Sequence, residues 1–185
     1  AGIEASGGSA GNTIAGISSL GSRGAFIGKV REDKLGETFA HDIQAQGVHF
    51  KTKMATSGPP TARCLILVTP DAQRTMNTYL GACVTLTEKD VEEDIVRGSA
   101  ITYLEGYLWD PPEAKQAFRK AMAIAHDAKR KVALTLSDAF CVDRYREEFC
   151  SLVNDEADII FANEAEIISL YKTTNFDDAL RKVQA

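Results

Sequence analysis

The sequence predicts an α/β domain on a parallel sheet, interrupted by a β hairpin. After residue 98 short β-rich runs alternate with helical patterns, and a strand–helix–strand order leaves successive strands parallel. In the middle of the chain, residues 62–69 and 75–80 are β-rich runs with no helix between them. The turn-prone Pro70-Asp71-Ala72-Gln73 joins them, so they read as an antiparallel hairpin. Eight of the fourteen glycines lie in the first 28 residues, which marks the start of the chain as a place where the backbone itself is used.

The elements follow in order. Residues 25–30 read as a strand. Residues 34–46 read as a helix with Leu35, Phe39 and Ile43 on one face, stopped by Gly47. Residues 99–104 form the next expected strand. Asp110-Pro111-Pro112-Glu113 reads as a helix start, with Asp110 as cap, proline in the first turn and Glu113 favouring the N-terminal dipole. The helix behind it carries Ala114, Ala117, Phe118, Ala121, Ala125 and Ala128 on one helical face, apt for packing on a sheet. A strand at 131–136, a helix at 143–153, a strand at 158–162 and helices at 164–171 and 176–183 complete the expectation. There are no internal repeats and no low-complexity linkers.

With 185 residues the chain can form one well-buried domain, or one domain with a small appendage. Hydrophobic residues make up 44% and charged residues 25%, the balance of a soluble globular protein. The longest apolar runs have strand length, well short of the ~18 residues of a membrane helix, and no signal-peptide pattern is visible. A net charge of −5, spread along the chain, argues against a nucleic-acid surface. The one basic cluster, Lys129-Arg130-Lys131, falls where a helix should end and complements its dipole. Cys64, Cys83, Cys141 and Cys150 show no C-x-x-C spacing and no nearby histidine, which argues against zinc or a redox pair and fits a reducing cytoplasm. His41, His49 and His126 are scattered and support no histidine-based triad.

Two constellations carry candidate chemistry. The first is Gly7-Gly8-Ser9-Ala10-Gly11-Asn12-Thr13, ahead of a helical stretch. A glycine pair before a helix permits positive φ and close approach of a ligand, and the helix N-terminus offers free N–H groups. No two glycines are spaced G-x-G and no G-K-[ST] occurs, so the dinucleotide fingerprint and the Walker A loop are both excluded. The loop reads either as a binder of something polar and uncharged, with Asn12 meeting hydroxyls, or as a tight turn with Asn12 as a plain N-cap. The second constellation is positional, because ligands of open parallel sheets sit beyond the carboxyl ends of the strands. Those ends here are Glu105-Gly106-Tyr107, Ser137-Asp138 and Asn163-Glu164-Ala165-Glu166. Asn163 and Glu166 read either as a pair orienting a hydrated cation or as a capping box.

Five segments, in order, resemble the PfkB carbohydrate kinase family, and within it the adenosine kinase branch. They are Gly7 to Thr13 with Leu20-Gly21; Phe26-Ile27-Gly28-Lys29-Val30 with Asp33, Gly36, Phe39 and Gly47-Val48; and Glu105-Gly106-Tyr107-Leu108. The last two are Thr135-Leu136-Ser137-Asp138-Ala139-Phe140, similar to N-L-S-x-P-F, and the run from Asp158 to Glu166, similar to a strand followed by N-x-x-E. The resemblance implies a doubly wound parallel sheet of ribokinase type with a small β lid, its strands within residues 1–8, 48–56 and 62–82. It implies that Gly7, Gly8 and Asn12 contact sugar hydroxyls, that Arg74 lies near the phosphoryl acceptor, and that Phe140 faces the base of a nucleoside. It places Asn163 and Glu166 at the phosphates and Mg²⁺, with Glu166 reaching the metal through water. The implied reaction is transfer of the ATP γ-phosphate to a primary hydroxyl, foremost the 5′-OH of adenosine. The alternatives are a sugar kinase of ribose or fructose type and a non-catalytic α/β ligand-binding module. Two copies pairing through the lid are a further implication.

The chain departs from the family pattern in places. Val30-Arg31-Glu32-Asp33 stands where V-G-x-D is usual, so that turn is expected to differ, and Ala139 replaces a frequent proline. The glycine-rich D-T-x-G-A-G-D segment with the catalytic Asp does not occur, nor does the initial strand whose acidic residue binds the sugar diol. No catalytic base is therefore expected within these residues, and residues 1–185 alone are expected to be inactive.

Overall fold

The computed structural model describes residues 2–183 and separates into two compact units, one ending at Asp90 and one beginning at Val91. Each unit is a layer of helix packed on extended chain, as the alternating pattern requires.

In the first unit, helix α1 (Ser9–Ser19) and helix α2 (Lys34–Ala45) accompany two extended segments. The expected strand at 25–30 is reduced to isolated parallel bridges, Ala25 to His49 and Arg31 to Ala55. Between them the ladder opens. The Phe26 ring lies over Gly28, and the Gly28 N–H turns to the Thr52 hydroxyl at 3.4 Å rather than to a carbonyl. Residues 48–56, placed with the lid by resemblance, thus run parallel to 25–31 with α2 between them. Residues 2–8 carry no regular secondary structure, and Ala1 lies outside the described residues.

Helix α2 forms because both of its ends are provided for. Asp33 caps it, accepting from the Gly36 N–H at 2.9 Å, and Gly47 at φ 82° closes it in the left-handed region. Its inner face packs Phe39, Ala40 and Ile43 against Val30, Val48 and Phe50. Phe26, Phe39 and Phe50 form a trio with ring centroids 5.6–5.7 Å apart in tilted and edge-on geometry. Arg31, where the family pattern has glycine, takes no positive φ.

The hairpin of β1 (Arg63–Val68) and β2 (Arg74–Tyr79) pairs Arg63 with Tyr79 and Val68 with Arg74. Its turn closes through the Ala72 N–H to the Thr69 carbonyl at 2.9 Å, with Ala72 at φ 63°. This is a type I turn followed by a left-handed residue. This small antiparallel sheet is the lid of the predicted fold. Leu65, Leu67 and Val68 stay exposed on it.

In the second unit, β3 (Ile101–Glu105), β4 (Lys131–Thr135) and β5 (Ile159–Phe161) form a parallel sheet in that order. Helix α3 (Glu93–Gly98) precedes it, and α4 (Pro112–Asp127) crosses from β3 to β4. The buried face of α4 holds Ala114, Ala117, Phe118, Ala121 and Ala125 of the predicted face, widened by Met122 and Ile124, whereas Ala128 lies at the C-cap and is half-buried. Its cap differs. Pro111 occupies the cap position without a side-chain bond, because Asp110 instead takes the Arg144 guanidinium at 2.9 Å.

The helix expected at 143–153 starts earlier and breaks. Asp138 caps α5 (Ala139–Arg144) by accepting from the Phe140 N–H, and Tyr145 at φ −127° interrupts the helix before α6 (Arg146–Ser151). A π-helical turn, Leu152–Glu156, leads into β5. Helices α7 (Glu164–Tyr171) and α8 (Phe176–Val183) fall where the pattern placed them. Trp109, Val132, Leu136, Val142 and Phe149 fill the core of this unit. Among the described residues no helix is long and apolar enough to cross a membrane.

Two predictions follow from α2. A Cβ on Gly36 would stand 1.9 Å from the Arg31 carbonyl oxygen, so Gly36→Ala should destabilise the fold by more than about 3 kcal/mol in urea unfolding. Burial raises the Asp33 pKa, but hydrogen bonds from the Thr61 N–H, the Thr61 hydroxyl and the Gly36 N–H, with the Arg31 charge, outweigh it and hold the group below 3.8. A depressed carboxylate stabilises the fold above its unfolded pKa, and that stability disappears as pH falls through the folded value. Asp33→Asn should therefore lower stability at pH 7 and flatten the acid limb of the stability–pH curve below about pH 4.

Candidate functional site

The start of α1 is built from the backbone. Gly8 takes the N-cap position at φ 105°, which makes glycine the residue of choice there. A Cβ at Gly8 would meet nothing within 4 Å, so conformation and not space demands the glycine. Asn12 is not the cap. It is the fourth residue of the helix, its N–H bonds the Gly8 carbonyl at 2.8 Å, and its side chain lies over Gly7, 3.8 Å from where a Cβ would stand. The leading N–H groups of α1 and the exposed Asn12 amide thus border the same glycine loop. Arg74 is exposed at the start of β2, beside the hairpin turn and opposite Val68.

In the second unit the parallel register pairs Glu105 with Thr135 and Thr135 with Phe161, so the three strands deliver their following residues to one rim. Gly106 is tightly fitted there, for a Cβ would lie 2.8 Å from the Thr135 carbonyl oxygen. Glu105 is 7% exposed, and its carboxylate accepts from the Tyr103 hydroxyl at 3.1 Å and the Ser137 hydroxyl at 3.3 Å. Burial pushes the Tyr107 phenol up, and the charges of Asp138, Cys141, Glu105 and Glu166 push it further. That phenol stays protonated, as a hydrogen-bond donor among acidic neighbours. Phe140, first turn of α5, leaves 75% of its surface exposed.

Asn163 and Glu166 form a complete capping box at the start of α7. The Asn163 Oδ1 accepts from the Glu166 N–H at 2.9 Å, and the Glu166 Oε2 accepts from the Asn163 N–H at 3.1 Å. The Asn163 amide also donates to Glu166 Oε1 at 2.8 Å. Glu166 is 6% exposed. Each carboxylate oxygen of Glu166 is engaged once within the box, and among the described residues no cluster of three metal-ligating side chains occurs.

The residues predicted as a site thus fall into the loop of α1 and the hairpin in the first unit, and the strand-end rim in the second. Glu105, Ser137 and Tyr107 were flagged only as polar residues at strand ends. Their hydrogen-bonded convergence comes from the sheet register.

A family model described as pfkB family carbohydrate kinase matches residues 4–185. The chain belongs to that family. The structure of adenosine kinase from Sinorhizobium meliloti is similar to this chain at 59% identity and TM-score 0.94, covering 98% of this chain and 56% of that one. A probable sugar kinase protein from Rhizobium etli CFN 42 is similar at 55% identity and TM-score 0.94, covering 98% and 55%. Among curated proteins, probable fructokinase-6, chloroplastic, of Arabidopsis thaliana is 28% identical over 95% of this chain and 47% of its own length. A ribokinase II structure from E. coli in complex with ATP and Mg²⁺ shares the fold, at 18% identity and TM-score 0.83 over 94% and 56% of the two chains. The chain spans about half the length of the relatives it matches.

Loss of the capping box should be measurable by itself. Asn163→Ala is expected to cost about 1 kcal/mol in urea unfolding, with faster hydrogen exchange confined to the first turn of α7.

Proposed function

We propose that the protein to which this chain belongs transfers the γ-phosphoryl group of ATP to a primary hydroxyl of a nucleoside, the 5′-OH of adenosine foremost, and that residues 1–185 supply recognition of the acceptor. The 59% identity to an adenosine kinase over 98% of the chain carries this reading. The fructokinases among the curated relatives favour a second one, phosphorylation of a free ketose.

In the first unit the Gly7–Gly8 loop and Asn12 are the groups proposed to take the sugar hydroxyls. They are uncharged donors and acceptors at a helix N-terminus, which suits hydroxyls. Arg74 approaches the phosphoryl acceptor from the hairpin, and Phe140 offers its exposed ring to the base. Asn163 and Glu166 hold water belonging to a Mg²⁺ ion carried with ATP, and that ion offsets phosphate charge. Positioning and electrostatics dominate such transfers. No residue of this chain is proposed as the catalytic base.

The hairpin register supports a further part of the reading. Arg74 shares one side of the hairpin with Val68, Ile66, Met76 and Cys64, whereas Leu65, Leu67 and Tyr79 occupy the other. With the Arg74 side towards the acceptor, the Leu65–Leu67 side is the surface at which two copies would pair. Free cysteines at 64, 83, 141 and 150 fit a cytoplasmic setting.

The test uses protein produced from the whole coding sequence, incubated with ATP and Mg²⁺ and with adenosine, ribose or fructose, and scored by mass spectrometry of the products. AMP formation is expected, and phosphorylation of the free sugars alone would overturn the nucleoside reading. Glu166→Gln keeps one acceptor of the box but sets its NH2 against an Asn163 donor, so it should lower the unfolding midpoint modestly. Assayed well below that midpoint, it should lower kcat about 10–100-fold, the usual cost of losing an outer-shell partner.

A further inference from the structure

The chain between β4 and α5 holds a strained turn at the ligand end of the sheet. Ser137 sits at φ 68°, in the left-handed region, although it is not glycine. The Asp138 N–H bonds the Leu136 carbonyl at 2.8 Å, two residues back, which closes a γ-turn centred on Ser137. A γ-turn of positive φ is rare and strained, and such a backbone persists only where its surroundings hold it.

The holding groups are identifiable. The Ser137 hydroxyl donates to Glu105 Oε2 at 3.3 Å and accepts from the Tyr107 N–H at 3.3 Å, so it ties the end of β4 to the end of β3. The Ser137 N–H bonds the Thr135 hydroxyl at 3.2 Å, and Leu136 is anchored to the end of β5 through the Phe161 carbonyl at 3.0 Å. Glu105 is buried and is itself oriented by the Tyr103 hydroxyl. Immediately after the turn, Asp138 caps the Phe140 N–H at 2.6 Å, and the Phe140 side chain stands exposed. A rotation at Ser137 would redirect that ring.

Resting on the reading of Phe140 as an acceptor-site residue, we propose that Ser137 and Glu105 form a positioning clamp. It holds the γ-turn in its strained form and so aims Phe140 at the acceptor, without either residue touching the acceptor. The clamp converts an interstrand hydrogen bond into the orientation of a ring three residues on.

The experiment compares Ser137→Ala, Ser137→Gly and Glu105→Gln in protein produced from the whole coding sequence. It reads KM for the acceptor, KM for ATP, and hydrogen exchange at the amides of residues 138–142. Ser137→Ala should raise the acceptor KM about tenfold while ATP KM moves less than about twofold, with faster exchange at 138–142. Glu105→Gln keeps a side-chain carbonyl for the Ser137 hydroxyl and should stay within about threefold of the parent. Ser137→Gly removes the hydroxyl but accepts positive φ freely, and should behave like the alanine variant. Parent-like behaviour of the glycine variant would overturn the clamp, because backbone conformation alone would then suffice. So would an alanine variant with unchanged exchange, or one that raises both KM values equally. Should the acceptor prove to be a free sugar, the nucleoside reading fails while exchange and the sugar KM still decide the clamp. Should no phosphotransfer be found, exchange alone decides it.

Discussion

Parallel pairing of β3, β4 and β5 determines where the polar groups of the second unit can act. Side chains alternate along each strand, but the strands all end in the same direction. Because Glu105 pairs with Thr135 and Thr135 with Phe161, whatever follows each strand arrives at a common rim. Glu105, Ser137-Asp138 and Asn163 to Glu166 are far apart in sequence, and the register brings them to one rim, where burial and then the charges of Asp138, Glu105 and Glu166 push the Tyr107 phenol up. A slip by one residue would turn Glu105 to the other face of the sheet and dismantle the hydrogen bonds to Tyr103 and Ser137.

The first unit obeys a different constraint. Outside the hairpin, its extended segments 25–31 and 48–56 share two isolated bridges among the described residues, so side-chain packing carries most of their association. Three phenylalanines in mutual contact supply it. Asp33 and Thr61 then join the start of α2 to the chain that leads into the hairpin, through the Thr61 N–H at 2.9 Å and its hydroxyl at 2.7 Å. One carboxylate caps a helix and fastens a loop, and those hydrogen bonds outweigh its burial and lower its pKa.

Much of this was legible from local patterns. Helices α2 and α7 lie close to their predicted bounds because capping residues and, for α2, a left-handed glycine are short-range signals. The hairpin was legible from its turn residues. The rest depended on groups distant in sequence. Asp110 left its cap position for Arg144, 34 residues on. The strand at 25–30 is reduced to two isolated bridges, with the Phe26 ring lying over Gly28 between them. Ser137 gave no hint of positive φ, because serine is not a residue type that announces it. Of the site, the glycine loop and the N-x-x-E pattern were visible as residue types in order, while the clamp around Glu105 depends on which strand lies beside which.

Of the two readings of Asn163 and Glu166, the capping box is the one the structure shows. Sequence spacing set a capping box against a cation-positioning pair, and the box is present with both carboxylate oxygens engaged. Each of those oxygens has a second lone pair, so the box consumes only part of the carboxylate's capacity. What it removes is freedom: a buried glutamate held at both oxygens has one rotamer and one direction for what remains. A carboxylate that must order a water around a metal ion gains from being immobilised beforehand, since the ordering cost is then met in folding and not at each turnover. The pattern that stabilises the first turn of α7 is thus compatible with the role proposed for Glu166, and residue spacing alone could not separate a capping box from a cation-positioning pair.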